Sequence, residues 1–525
     1  MNATGTEDTA RFAAVLALAF ACVVGTVLVH HEMWRDELQA WELARSSATY
    51  VAMLANKRYE GHPDLWYVLL YAVSRVWRDP AAMQLLHLAL ATATVYVVAR
   101  WAPFDRLTKA FMAGGYFFAY EYAVISRSYV LGALTLFALC VLYPRWAERP
   151  LAFAALVALL ANSSAFGLLA AGGVITAFLV DLASRPAARA SLAARRATAA
   201  VAALLVAVAV VWSIHSMLPP ADALFTGDTE RPGPGAWAVR WRALAAAGAP
   251  WRAFIPGGTT MLAALWGDPI GDRAGRLLEA ALGVAMLTGA LLVLRRRIVA
   301  VALFASGTAA ILMFAYFRFA GSARHEGTIY LLFVAALWVA GRAPDVEVSS
   351  TQQLSSRDGG PAFWRRAPSA WFVGAVVLAQ AIAGALALGR DFTEPFSTAR
   401  ATAGFITAHG WRDRLIVASP HSEATAIAGY LDRPVYNPEE GRLMTYARWD
   451  TPWVDPDRMR RMLITALDSL VTPTAPEVVA VLSYDFPRPA PGLVATEVAR
   501  FDHAMGELEQ YRVYLVRRAP AAGMR

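Results

Sequence analysis

The sequence predicts an α-helical polytopic membrane protein of about eleven transmembrane helices, with juxtamembrane helices on its outer face and a small C-terminal α/β domain. Three observations predict this. Of 525 residues, 57% are hydrophobic and only 17% charged, whereas a soluble domain carries roughly a quarter charged residues. Apolar stretches approaching the roughly 20 residues that cross a bilayer recur along the chain. After Arg390 they give way to short strand-like runs.

The apolar stretches fall at 12–30, 81–100, 107–124, 129–143, 150–163, 167–184, 197–217, 276–294, 298–319, 328–341 and 370–389. Arginine clusters orient them: Arg145 with Arg149; Arg185, Arg189, Arg195 and Arg196; Arg295 to Arg297; and Arg365 with Arg366. Placing all four clusters in the cytoplasm lets the spans alternate. The same bias accounts for the net charge of +8 and argues against nucleic acid as a partner. The stretch from Asp64 to Trp77 breaks the alternation if it crosses. At about 14 residues, rich in Trp and Tyr, it suits a helix lying on the outer face. The N-terminus is then cytoplasmic, and the loops 31–80 and 218–275 and the C-terminal tail lie outside the inner (cytoplasmic) membrane. Residues 342–368 form an inside linker.

The first span follows a leader containing Glu7 and Asp8, and no small-residue cleavage site comes after it, so it reads as a retained helix. Cys22 and Cys140 sit within apolar spans, which excludes a disulfide framework. No internal repeat is evident, which counts against repeat-built transporters. Residues 1–390 therefore form the membrane domain and 391–525 the external one. In the latter, Leu415 to Ala418, Val478 to Leu482 and Tyr511 to Val516 read as strands. Ser422 to Leu431 and Asp457 to Leu470 read as helices, with Ser422 and Asp457 as N-caps.

Chemistry concentrates in the first outer loop. Asp36 and Glu37 follow the first span in the run His30-His31-Glu32-Met33-Trp34-Arg35-Asp36-Glu37. Carboxylates this close to a membrane face are costly to desolvate. On a helix they point about 100° apart, while Glu32 and Asp36 share a face. Asp36 is the candidate general base and Glu37 its support. The alternative is a solvated helix start whose acids complement the dipole. Lys57, Arg58 and His62 precede the aromatic interfacial helix, where cations hold a phosphate beside a lipid tail or simply anchor headgroups. Arg127 interrupts an apolar stretch and needs a partner or an aqueous cavity; Glu121 is either a second acid or its ion-pair partner. Arg324 and His325 mark another outer helix end, as phosphate ligand and proton carrier or as a capped helix start. Asn162 to Gly167 reads as a polar helix junction. No cofactor is firmly implied. His30, His31, Glu32 and Asp36 combine into a divalent-metal site only on paper, because adjacent histidines do not face one another on a helix.

Three segments in this order resemble the GT-C superfamily of membrane glycosyltransferases, in particular the protein O-mannosyltransferase and lipid A aminoarabinose transferase branch. They are Asp36-Glu37, His62-Pro63-Asp64-Leu65-Trp66-Tyr67 and Ser126-Arg127-Ser128-Tyr129. The motif resemblance covers roughly residues 12–184, and beyond that the architecture alone corresponds. Two positions depart. Asp64 stands where the family often has a second proline, and Gly132 stands where its arginine motif ends in an acid. The resemblance implies a polyprenyl-phosphate-linked sugar donor, a glycan, lipid or protein acceptor, and inverting transfer with an outer-loop carboxylate as base. Lys57, Arg58, His62, Arg127, Arg324 and His325 would then serve the donor phosphate. A transporter or flippase for lipid-linked saccharides is the rival reading, and a surface-glycan polymerase or ligase a third. A flippase needs polar groups along a path through the bilayer, whereas this chain gathers them at one face.

Overall fold

The computed structural model describes residues 3–223, 236–257, 275–319, 321–342, 367–450, 454–506 and 509–520. Among them, seven helices are long and apolar enough to cross a membrane. The chain is a multi-pass membrane protein. Helix α1 (Ala3–His30) packs along α5 (Ala81–Trp101), and α9 (Ala165–Ser184) along α14 (Ile298–Phe317). The second pair meets at glycines: a Cβ on Gly173 would lie 2.9 Å from the Leu303 carbonyl and 3.0 Å from the Gly307 Cα. Small residues let transmembrane backbones approach this closely.

The loop after α1 carries three short helices, α2 (Arg35–Ser46), α3 (Tyr50–Lys57) and α4 (Leu65–Val76). Helix α4 occupies the stretch read as interfacial. The predicted span 107–124 is instead broken. It comprises α6 (Arg106–Ala113), a π-helical turn (Tyr116–Glu121) and an irregular segment leading to α7 (Tyr129–Leu142). The break falls at Gly114-Gly115, where α16 (Ala367–Thr393) crosses so closely that a Cβ on Gly384 would lie 2.1 Å from the Gly114 carbonyl. A continuous helix with side chains there could not accept that crossing. The consequence is an irregular backbone before α7, from which Ser126 and Arg127 project.

Helices α8 (Pro150–Ala161), α10 (Pro186–Ala194) and α11 (Arg196–Met217) complete the first half. Between α8 and α9, Ser164 caps α9 by accepting from the Gly167 amide at 2.9 Å. The second large loop contains a helix, α12 (Ala236–Phe254), packed on α13 (Arg276–Leu294) and α15 (Ala323–Arg342). Helix α15 begins earlier than the apolar pattern indicates, taking Arg324, His325 and Glu326 into its first turn.

Helix α16 leads directly into the C-terminal part, where α17 (Ala399–Ala408) precedes a six-stranded mixed sheet. Its strands are β1 (Ile416–Ser419), β2 (Val435–Asn437), β3 (Arg442–Met444), β4 (Glu477–Leu482), β5 (Leu493–Phe501) and β6 (Tyr511–Arg518), in the order β3-β2-β1-β4-β6-β5. Strand β1 runs parallel to β2 and β4, and the other pairings are antiparallel. Two helices cover the sheet: α18 (His421–Leu431) follows β1 and α19 (Pro456–Leu470) precedes β4. Val417, Val478 and Ala480 face a core with Leu463 and Leu467 of α19. Ile416, Ala418, Val479 and Val481 face the other way, into the core continuous with the membrane part. Burial on both faces explains why the central strands read as unbroken apolar runs. The capping expectations need correction: Asp455 rather than Asp457 caps α19, and Pro420 rather than Ser422 precedes α18.

Candidate active site

Helix α2 begins at Arg35, so Asp36 and Glu37 occupy its first turn, where acids complement the exposed amides. The structure separates the pair. Glu37 is fully buried and reaches back to the Trp34 amide at 3.3 Å. Its carboxylate also accepts from the Ser126 amide at 2.7 Å and lies 3.0 Å from His31 Nε2. Asp36 retains 26% side-chain exposure, and its Oδ2 lies 3.0 Å from Arg324 Nη1 and 3.4 Å from Arg127 Nη1. Arg127 Nη1 also donates to the Asp36 carbonyl at 2.6 Å. Segments about 90 and 290 residues downstream thus converge on one carboxylate. Burial alone would raise its pKa. The guanidiniums of Arg127, Arg324 and Arg35 outweigh burial and hold it below the usual carboxylate range, so Asp36 is ionised at neutral pH. Glu32 does not share a helix face with Asp36, because α2 starts after it; Glu32 instead accepts from the Arg400 amide at 3.3 Å.

His62 borders the cluster. Burial and the cations Arg127, Lys57 and Arg324 push its imidazole down to about 3, so it is neutral at physiological pH. Its Nδ1 is buried and has no hydrogen-bond partner among the described residues. Glu60, unassigned in the sequence reading, lies beside it. Gln39 Nε2 donates to Glu60 at 2.7 Å and Tyr67 Oη at 3.2 Å. Burial raises the Glu60 carboxyl, with opposition from Gln39 and Arg127. The only sequence signal for Glu60 was its place in the polar loop.

The remaining candidates lie apart from the Asp36 carboxylate. Lys57 is fully buried, donating to Asp64 Oδ1 at 2.6 Å and to the Ser216 carbonyl at 2.7 Å. The other Asp64 oxygen accepts from Trp212 Nε1 at 2.9 Å. The aspartate that replaces the family proline is therefore the counter-ion of Lys57. Arg58 is exposed at the end of α3. His325 is buried behind Arg324, with Nδ1 accepting from the Ser322 amide at 2.9 Å and the ring edge-on to Tyr129. Glu121 is buried and accepts from Tyr116 Oη at 2.8 Å rather than pairing with Arg127. Gly132 has no room to spare for an acid, since a Cβ there would lie 3.2 Å from Ser163 Oγ. Both nitrogens of His31 are taken by carboxylates, Glu37 and Asp391. Among the described residues no three His, Cys, Asp or Glu side chains form a cluster that could hold a metal ion.

No protein-family model matches this chain, and no curated protein matches it by sequence. Solved structures do. ArnT from Cupriavidus metallidurans in the apo state aligns over 98% of this chain and 99% of its own, at 16% identity and a TM-score of 0.52. The chain has the GT-C fold. A second structure of the same protein, bound to undecaprenyl phosphate, aligns over the same shares at 15% identity and a TM-score of 0.49. In this chain the three motif segments come together in part. Asp36 and Arg127 meet directly and His62 stands beside them, while Lys57 is held in a separate ion pair.

The C-terminal part packs against the loop that carries the site. Arg35 pairs with Glu423 of α18, and its amide donates to Glu509 at 3.4 Å. Gln39 donates to the Ala447 carbonyl at 2.6 Å, and Arg448 to Tyr59 Oη at 2.7 Å. Arg252 pairs with Glu279 and Glu326, linking α12 and α13 to the first turn of α15, which carries Arg324.

Proposed function

We propose that this chain transfers a sugar from a polyprenyl-phosphate donor to an acceptor at the outer face of the cytoplasmic membrane, with inversion and with Asp36 as general base. The observation that carries this is the convergence of Arg127 and Arg324 on the partly exposed Asp36 carboxylate. Two guanidiniums that hold a carboxylate oxygen also suit a phosphate. When the donor phosphate takes them, Asp36 loses its counter-charges and becomes the stronger base. It then accepts the acceptor hydroxyl proton as that oxygen attacks the anomeric carbon. The bond from that carbon to the phosphate oxygen breaks, and the polyprenyl phosphate leaves with its charge neutralised by Arg127 and Arg324. Glu37 braces the turn that presents Asp36, and the neutral His62 stands beside the cluster. Apolar helices surrounding the site suit the isoprenoid tail.

The gathering of Asp36, Arg127, Arg324, Glu60 and His62 in one layer favours transfer at a face over passage through the bilayer. Mass spectrometry of the lipid that co-purifies with the full chain tests the donor. A polyprenyl phosphate or its glycosylated form is expected, with about tenfold less of it on an Arg127→Gln/Arg324→Gln double variant. Equal isoprenoid content in both proteins, or none in either, contradicts the assignment.

A further inference from the structure

A chain of fully buried groups joins the start of the C-terminal part to the reaction centre. His31 has no exposure; its Nδ1 lies 2.7 Å from Asp391 Oδ2 at the end of α16, and its Nε2 lies 3.0 Å from Glu37 Oε2 on α2. The other Glu37 oxygen accepts from the Ser126 amide at 2.7 Å. Glu37 and Ser126 are the chain neighbours of Asp36 and Arg127, so this chain sets the spacing of the base and its arginine. Two carboxylates around one imidazole satisfy both ring nitrogens only when both carry protons. A neutral ring would leave one nitrogen lone pair facing a buried carboxylate.

We infer that protonated His31, clamped between Asp391 and Glu37, is a positioning residue for the transfer reaction: it holds the turn bearing Asp36 against the segment bearing Arg127. The inference rests on the proposed transfer function and extends it to residues that touch neither donor nor acceptor. Burial opposes the charge on His31, but Asp391 and Glu37 outweigh it and raise the imidazole to about 10. The other ionisable groups around it are Glu32 beside it, Arg400 of α17, which donates to the His31 carbonyl at 2.8 Å, His87 of α5, and Tyr120 of the π-helical turn, which lies against Asp391. A folded pKa above the free value means that the clamp is complete below the free histidine pKa of about 6.5 and is lost as pH rises through the folded value. Across physiological pH it stays closed.

The test follows transfer by the full-length chain in membranes from about pH 6 to about pH 9. In wild type, no ionisation of His31 falls in this window. Asp391→Asn leaves the imidazole a single carboxylate, so kcat should fall roughly tenfold as pH rises, with donor KM unchanged within about twofold. Asp391→Glu should restore the flat profile. His31→Gln should lower kcat at every pH and abolish the added slope when combined with Asp391→Asn. An Asp391→Asn profile matching wild type, or a slope that survives in the double variant, overturns the inference. Asp36→Asn run alongside separates the two claims. Full transfer by that variant removes Asp36 as base, whereas the Asp391→Asn profile reports on the clamp alone.

Discussion

Two cation–carboxylate clusters in the segments around the first loop differ in a way that separates chemistry from bracing. Lys57 and Asp64 are seven residues apart, and the lysine is fully buried with a second partner in the Ser216 carbonyl. Asp36 draws Arg127 and Arg324 from distant segments, and its carboxylate stays 26% exposed. The first cluster is closed: replacing Asp64 by an incoming phosphate would also break its bond to Trp212. The second is partly open to solvent, and two guanidiniums meet at its one carboxylate oxygen. Two convergent guanidiniums at a partly exposed site suit a phosphate-bearing ligand. In sequence, both Lys57 and Arg127 were candidates for that role.

The largest effect expected from this comparison is at the arginines. Arg127→Gln/Arg324→Gln should lower kcat/KM for the lipid donor by about a thousandfold, measured by transfer in membranes, and a loss under tenfold would place the phosphate elsewhere. Lys57→Met should act on stability instead. It strands the partly shielded Asp64, whose side chain is 14% exposed, and should cost about 2 to 3 kcal/mol, read as a lowered melting temperature in detergent. Adding Asp64→Asn should recover much of that loss, with transfer within about threefold of wild type. Transfer that stays lost in a refolded double variant would make Lys57 a donor ligand after all.

The smallest effect concerns pH. Because the arginines depress the Asp36 pKa in the free protein, the stability from these contacts is complete above the free aspartate value, about 3.9, and is lost only as pH falls through the lower folded value. The acid limb of kcat/KM should accordingly lie below about pH 4, and Arg324→Gln should move it upward. An acid limb above the ordinary carboxylate range in wild type would identify a different base, with Glu60, whose carboxyl burial raises, as the alternative.

Local pattern made much of this legible. Apolar length revealed most of the long helices, the aromatic stretch after Asp64 gave the short helix α4, and helix geometry indicated that Asp36 and Glu37 diverge. What stayed hidden depends on partners far apart in the chain. The contact of His31 with Asp391 spans 360 residues, and no local pattern singles out Asp391 just past the apolar stretch 370–389. Glu60 acquires its role only when α2 and α4 bring Gln39 and Tyr67 to it. The break at Gly114-Gly115 follows from the crossing of α16, which no local propensity encodes. Strands β2 and β3 have three residues each, too few to show a period. Strand β5 is largely exposed, so its apolar alternation is weak.

The central claim is that Asp36 performs the proton transfer while the arginines bind the phosphate. The most direct measurement compares wild type and Asp36→Asn in the same membranes, reading both sugar transfer and the amount of polyprenyl-phosphate lipid retained. Transfer should fall by at least about a hundredfold, as for loss of a general base, while lipid retention stays equal or rises because the arginines are released. Transfer within about threefold of wild type, or loss of the lipid together with activity, would contradict it.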